Sequence, residues 1–157
     1  MKSLKLSLFL TFVLCFAQDK DWRPAFAKLQ DWPESIDLSI SELDSLKVQF
    51  VDVRPFKERR VSVLPNAISL DEFEEKFESK ALDLNLTYVA YCTIGYRSAR
   101  FTEKWKKEGV ELFNLKGGVL AWAESGRSFV KDSLPTDSVH VYGKDWNFLV
   151  EGYTPVW

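Results

Sequence analysis

The chain has few of the residues that would brace it by cross-links or metal. It contains two cysteines and one histidine in 157 residues, and Cys15 falls in a leader-like segment, so Cys92 stands alone in the expected mature protein. A single cysteine closes no internal disulfide, and one cysteine with one histidine makes no ordinary zinc site. Stability must then come from a core, for which 46% hydrophobic content with 12 Phe and 6 Trp is ample. Such a composition excludes disorder. A basic stripe is also lacking: the formal net charge is −2, and Lys104, Lys106 and Lys107 read as one solvated helix face. Nucleic acid is therefore not an expected partner. No repeat or low-complexity segment is present, and no run beyond the leader could span a bilayer.

The first 17 residues follow a different logic from the rest. Lys2 and Lys5 form a short basic start, Leu6 to Ala17 is an uncharged apolar run, and Gln18-Asp19-Lys20-Asp21 turns polar abruptly. About 12 apolar residues are too few to cross a bilayer core that needs about 20. They match a secretory leader cut after Ala17. A lipid anchor on Cys15 would call for a small residue before it, where Leu14 stands. The expectation is an exported protein, periplasmic or secreted, with no stable membrane insertion after cleavage. About 140 residues remain, the size of one domain.

Residues 18–37 read as an N-terminal extension with a helical turn around Ala25–Gln30. Ser39 with Glu42 three positions on is a capping-box signal for a short helix. Lys47–Val53 reads as a buried strand ended by Arg54-Pro55, residues 56–66 as a charged loop, and Ala67–Ser69 as a short strand. Asp71–Lys80 is amphipathic, with Phe73 and Phe77 on one helical face. Thr87–Tyr91 is a second buried strand, Ser98–Glu108 a helix closed by Gly109, Val110–Leu115 a third strand, and Val119–Glu124 a short helix after the turn Lys116-Gly117-Gly118. Strands alternating with helices at this spacing predict an α/β fold with a mostly parallel sheet flanked by helices. Residues 131–157 show no regular pattern and read as an aromatic-rich extension packed on the domain, or as a strip for an unknown protein partner. Within it, His140 reads as a packing residue rather than a base.

The chemistry concentrates in Cys92-Thr93-Ile94-Gly95-Tyr96-Arg97-Ser98. A strand delivers a thiol to a tight loop, and the loop feeds a helix. If the loop curls about a centre, the amides of residues 93–98 point inward, Gly95 supplies a conformation closed to other residues, and the helix start adds unpaired N–H groups and partial positive charge. The result is an anion cradle with sulfur at its rim, surroundings that favour a thiolate. Arg97 has two directions open to it: into the cradle, or outward to a carboxylate. Two chemistries use such a cradle, phosphoryl transfer and sulfur transfer. Cysteine phosphatases resemble one another in placing five residues between Cys and Arg. Here there are four, and the tighter ring suits a persulfide sulfur better than phosphate. A thiol–disulfide role would need a resolving thiol from another chain.

The chain resembles the single-domain rhodaneses, the thiosulfate sulfurtransferase family. The loop matches that family's C-x-x-G-x-R-S; Asp52-Val53-Arg54 matches D-V-R, with Glu58 where a Glu usually follows; Leu115-Lys116-Gly117-Gly118 with Trp122 matches L-x-G-G-x-x-x-W. These motifs cover roughly residues 38–130. One stretch departs: the family commonly has G-H-I-P-G-A where this chain has Ser62-Val63-Leu64-Pro65-Asn66-Ala67. The resemblance implies a rhodanese-like fold and a sulfurtransferase that moves sulfane sulfur from a small sulfur-containing anion such as thiosulfate to a thiol or cyanide acceptor. It implies Cys92 as the catalytic nucleophile carrying a persulfide, no cofactor and no metal. Thr93, Ile94, Gly95, Tyr96, Arg97 and Ser98 would bind substrate, and Asp52, Arg54 and Glu58 would support the loop. The alternative is a non-catalytic rhodanese-like module that binds an anion or a partner.

Overall fold

Two apolar, β-branched or aromatic runs form the centre of the sheet. The computed structural model describes residues 31–157 together with Asp21, Arg23–Phe26 and Leu29; the expected leader, residues 1–17, lies outside them. β2 (Val48–Asp52) pairs in parallel with β4 (Thr87–Tyr91) over five residues, from Val48 opposite Thr87 to Asp52 opposite Tyr91. β1 (Asp37–Leu38), β3 (Ile68–Ser69) and β5 (Phe113–Leu115) complete an all-parallel sheet in the order β1-β5-β4-β2-β3. A parallel sheet is covered on both faces, and successive strand residues point to opposite sides. Phe50, Val89 and Tyr91 accordingly join one core cluster with Leu120 and Trp122. Val51, Tyr88 and Ala90 join the other, with Phe73, Phe101 and Trp105.

The helices follow from these faces. α4 (Leu70–Glu78) and α5 (Tyr96–Lys107) cover the second cluster, where Phe73 meets Tyr88, Phe101 and Trp105 edge to face at 5.1–5.8 Å. Burying such a ring contributes about 1.5–3 kcal/mol. α6 (Gly118–Glu124) covers the first cluster. α2 (Ile40–Leu43) starts at Ser39, whose backbone N–H and hydroxyl both donate to the Glu42 carboxylate, at 2.7 and 2.6 Å. Four-residue α1 (Arg23–Phe26) overlaps the start of the turn expected at Ala25–Gln30, of which Ala27, Lys28 and Gln30 lie outside the described residues, and its Arg23 pairs with Glu124 of α6 at 3.1 Å.

Two sequence expectations are corrected. The charged loop 56–66 contains α3 (Phe56–Arg59), because Pro55 supplies the extended residue before a helix and Glu58 lies in its first turn. Residues 131–157 are not irregular. β6 (Phe129–Lys131) and β7 (Leu134–Thr136) form an antiparallel hairpin, and β8 (Ser138–His140) pairs in parallel with β9 (Thr154–Val156). Their pairs are three residues long, too short for periodicity to register. Val139 and Val141 are fully buried, so this segment is part of the core. Among the described residues no helix is long and apolar enough to cross a membrane.

Candidate active site

Cys92 follows the carboxyl end of β4, the middle strand, which is where open parallel sheets gather ligands. The chain turns sharply there. Gly95 takes φ +98°, closed to residues with side chains, and α5 begins at once, at Tyr96. The helix thus starts two residues earlier than the expected Ser98 and brings its amino end nearer the sulfur. The Gly95 N–H donates to Cys92 Sγ at 3.1 Å. A side chain at Gly95 would also press on the Leu115 carbonyl at 3.2 Å.

The sulfur lies at the floor of a cleft of about 290 Å3, not at a rim, and Cys92 is only 1% exposed. Leu29, Thr93, Ile94, Tyr96, Arg97, Tyr142 and Trp146 form the rest of the cleft. A larger cleft of about 550 Å3 lies at the amino ends of the strands, around Leu82, Leu84 and Leu86, and has no cysteine among its described lining residues. Beneath the sulfur, the start of α6 grips the loop: the Val119 N–H donates to the Cys92 carbonyl at 2.9 Å and the Leu120 N–H to that of Thr93 at 3.2 Å.

Arg97 pairs with a carboxylate while still lining the cleft. Its two terminal nitrogens donate to the two Glu58 oxygens at 2.7 Å each, and Thr93 Oγ1 accepts from Arg97 at 3.2 Å while donating to Glu58 at 3.3 Å. Burial alone would raise the Glu58 pKa, but the Arg97 guanidinium outweighs it and holds the carboxyl below its ordinary value. Burial opposes charge on Arg97 too, and Glu58 and the nearby Cys92 sulfur reverse it, raising its pKa. Glu58 is 3% exposed, and it stands in α3, the helix not anticipated from the sequence.

Behind the loop lies a second network. Arg54 donates from Nε and Nη2 to the two oxygens of Asp52, at 2.9 and 2.8 Å, and from Nη2 to the Ser62 carbonyl at 2.7 Å. The Tyr91 hydroxyl donates to Asp52 at 2.6 Å and accepts from the Leu64 N–H at 3.1 Å. Asp52 and Arg54 therefore fix the residue before Cys92 and the 62–67 segment without entering the cleft. The departure at 62–67 is accommodated because main-chain groups of Ser62 and Leu64 make these bonds, and Val63 exchanges two backbone bonds with Val130 at 2.9 Å. Asn66 adopts φ +58°, a region asparagine tolerates.

Of the expected substrate-binding residues, Thr93, Ile94, Tyr96 and Arg97 line the cleft, Gly95 offers its amide under the sulfur, and Ser98 is fully buried outside it. His140 is buried in β8, its Nδ1 accepting from the Tyr142 N–H at 3.1 Å. Leu29, Tyr142 and Trp146 were not anticipated. They sit in the two extensions, and the only signal was the density of aromatics near the carboxyl terminus.

We expect the pair Glu58–Arg97 to leave a pH signature. A depressed carboxyl pKa adds stability that is present above its ordinary value of 4.5 and is lost as pH falls through the folded value. Glu58→Gln should therefore cost about 2 kcal/mol in urea unfolding at pH 7, and the gap to wild type should close below pH 4.5. A gap independent of pH would contradict the assignment.

Comparison with known proteins places this geometry in context. The family model described as the rhodanese-like domain matches residues 36–125. A Bacillus subtilis (strain 168) protein named provisionally as the sulfurtransferase YtwF is 31% identical over 78 residues, 48% of this chain and 74% of that protein. A protein of Allochromatium vinosum named sulfurtransferase is 29% identical over 98 residues, 62% of this chain and 92% of its own length. A rhodanese-like domain protein from Staphylococcus aureus superposes with TM-score 0.51 at 28% identity, covering 62% of this chain and 99% of that one.

Proposed function

The chain belongs to the rhodanese-like domain family, and from that membership we propose that it is a sulfurtransferase carrying sulfane sulfur on Cys92. The Cys92 thiolate attacks the outer sulfur of a donor such as thiosulfate. The new S–S bond forms as the donor's own S–S bond breaks, and sulfite leaves with the electron pair. A thiol or cyanide acceptor then takes the outer sulfur from the persulfide, so the cycle is ping-pong and needs no cofactor. Supporting this reading is one observation above all: the Gly95 N–H aimed at Sγ from the floor of a cleft, a fixed donor where negative charge resides in both half-reactions. Thr93, Ile94, Tyr96 and Arg97 shape the donor site; Asp52, Arg54 and Glu58 hold the loop. The leader-like residues 1–17 support an exported protein that meets oxidised sulfur species or small thiols outside the cytosol.

The 1% exposure of Cys92 favours one rival, a rhodanese-like module that binds an anion or partner without turnover. Intact-mass measurement decides between them. Protein treated with thiosulfate should gain one sulfur and lose it on adding cyanide, with thiocyanate released. No mass gain and no thiocyanate with thiosulfate or with an organic thiosulfonate would overturn the enzyme reading.

A further inference from the structure

The cleft above Cys92 is mostly apolar, and part of its wall comes from outside the shared domain. The family match ends at residue 125, while Tyr142 and Trp146 belong to the carboxyl-terminal segment. That segment is firmly built in: Val139 and Val141 are fully buried, Leu149 is 6% exposed, and the Tyr153 hydroxyl donates to the Arg127 carbonyl at 2.9 Å. Tyr142 itself has φ +70°, an uncommon conformation for a bulky residue. It is kept there by its N–H on His140 Nδ1 at 3.1 Å and by the Gly143 N–H on the Val141 carbonyl at 2.8 Å. Strain maintained in this way beside a reactive group points to use. Its result is to set the phenol ring against the Arg97 guanidinium, 5.6 Å from ring centroid to carbon.

Among the described residues Arg97 is the cleft's one lining cation, and both of its terminal nitrogens donate to the Glu58 carboxylate, with Tyr142 over its face. The Glu58 carboxylate offsets its charge, which weakens its hold on a dianion. Across the cleft, Tyr96 is braced edge-on by Trp32 at 5.5 Å. At about 290 Å3 the space approaches the small-ligand cavities of about 300–1,000 Å3. Aromatic walls favour an apolar body, and a doubly charged oxyanion would lose hydration there with weak compensation.

Building on the sulfur-transfer reading, we infer that Tyr142 and Trp146 select an organic sulfane-sulfur anion with an apolar body over inorganic thiosulfate. In the loading step the Cys92 thiolate bonds to the donor's outer sulfur, the donor's S–S bond breaks, and an organic sulfinate departs with the electron pair. Charge balances without an oxidant or reductant.

Three donors separate the contributions: thiosulfate, methanethiosulfonate and benzenethiosulfonate, the last two with equal charge and different bodies. The rate of Cys92 persulfide formation, read by intact mass and as kcat/KM with cyanide, should favour benzenethiosulfonate over methanethiosulfonate by at least about tenfold. Trp146→Ala should erase that ratio, and Trp146→Phe, which keeps a ring, should retain most of it. Methanethiosulfonate equalling benzenethiosulfonate in wild type, or an unchanged ratio in Trp146→Ala, would overturn the inference while leaving sulfur transfer intact. Failure of all three donors to load Cys92 would instead bring down the underlying reading, and this inference with it.

Discussion

Cys92→Ser should abolish the thiosulfate-dependent mass gain and lower sulfur transfer by at least about a thousandfold, the scale on which loss of a covalent nucleophile is felt. The expectation follows from bond chemistry. A serine hydroxyl is not ionised near neutrality and forms no persulfide, so both half-reactions lose their carrier. Folding should survive, because the hydroxyl still accepts from the Gly95 N–H and the backbone carbonyl of residue 92 still accepts from Val119. Unfolding free energy within about 1 kcal/mol of wild type would show that chemistry and not the fold was lost. Retention of full activity would dismiss Cys92 as the nucleophile. The same variant separates the enzyme from the binding module, whose partner capture would not depend on the sulfur.

The fold and most of the loop were legible because several levels of the sequence agree there. Thr87–Tyr91 is both β-prone and continuously apolar, as a strand buried on both faces must be, and its observed bounds match the expectation. Ser39 and Glu42 announce a helix start by a side chain that bonds the main chain locally, whereas the equivalent pair at α4, Ser69 and Glu72, emerges only in the structure, where the helix begins one residue ahead of the expected Asp71 start. What was not legible depends on long-range pairing. The direction of Arg97 is set by Glu58, 39 residues away on a helix of one turn. Part of the cleft wall is Tyr142 and Trp146, in a segment anchored by a three-residue parallel pair between β8 and β9. Neither arrangement leaves a periodic trace. The aromatic density of residues 139–157 showed that something is packed there, but contributions to the mouth of the cleft could not be read from it.

The second large effect is expected at Gly118, a residue that touches no substrate. A Cβ built there would lie 2.1 Å from the Cys92 carbonyl oxygen and 3.0 Å from the Thr93 carbonyl carbon, at a backbone φ of +52° that already disfavours side chains. The carbonyl has no room to yield, since it is held by the Val119 N–H at 2.9 Å and lies on the loop that presents the sulfur. Overpacking against backbone costs about 1–3 kcal/mol, and the left-handed conformation adds roughly 1 kcal/mol. Gly118→Ala should thus lose about 2–4 kcal/mol of stability. Because a displacement of about 1 Å can cost about a hundredfold in rate, persulfide formation should also slow by more than about tenfold in protein that is still folded. Gly126→Ala is the control. It has a comparable φ of +72° but no heavy atom within 4 Å of the added Cβ, so it should show the conformational penalty alone, about 1 kcal/mol, with loading of Cys92 unchanged. If the two substitutions proved equal in urea unfolding and in loading rate, the close approach of α6 to the cysteine loop would not be what holds the sulfur in place.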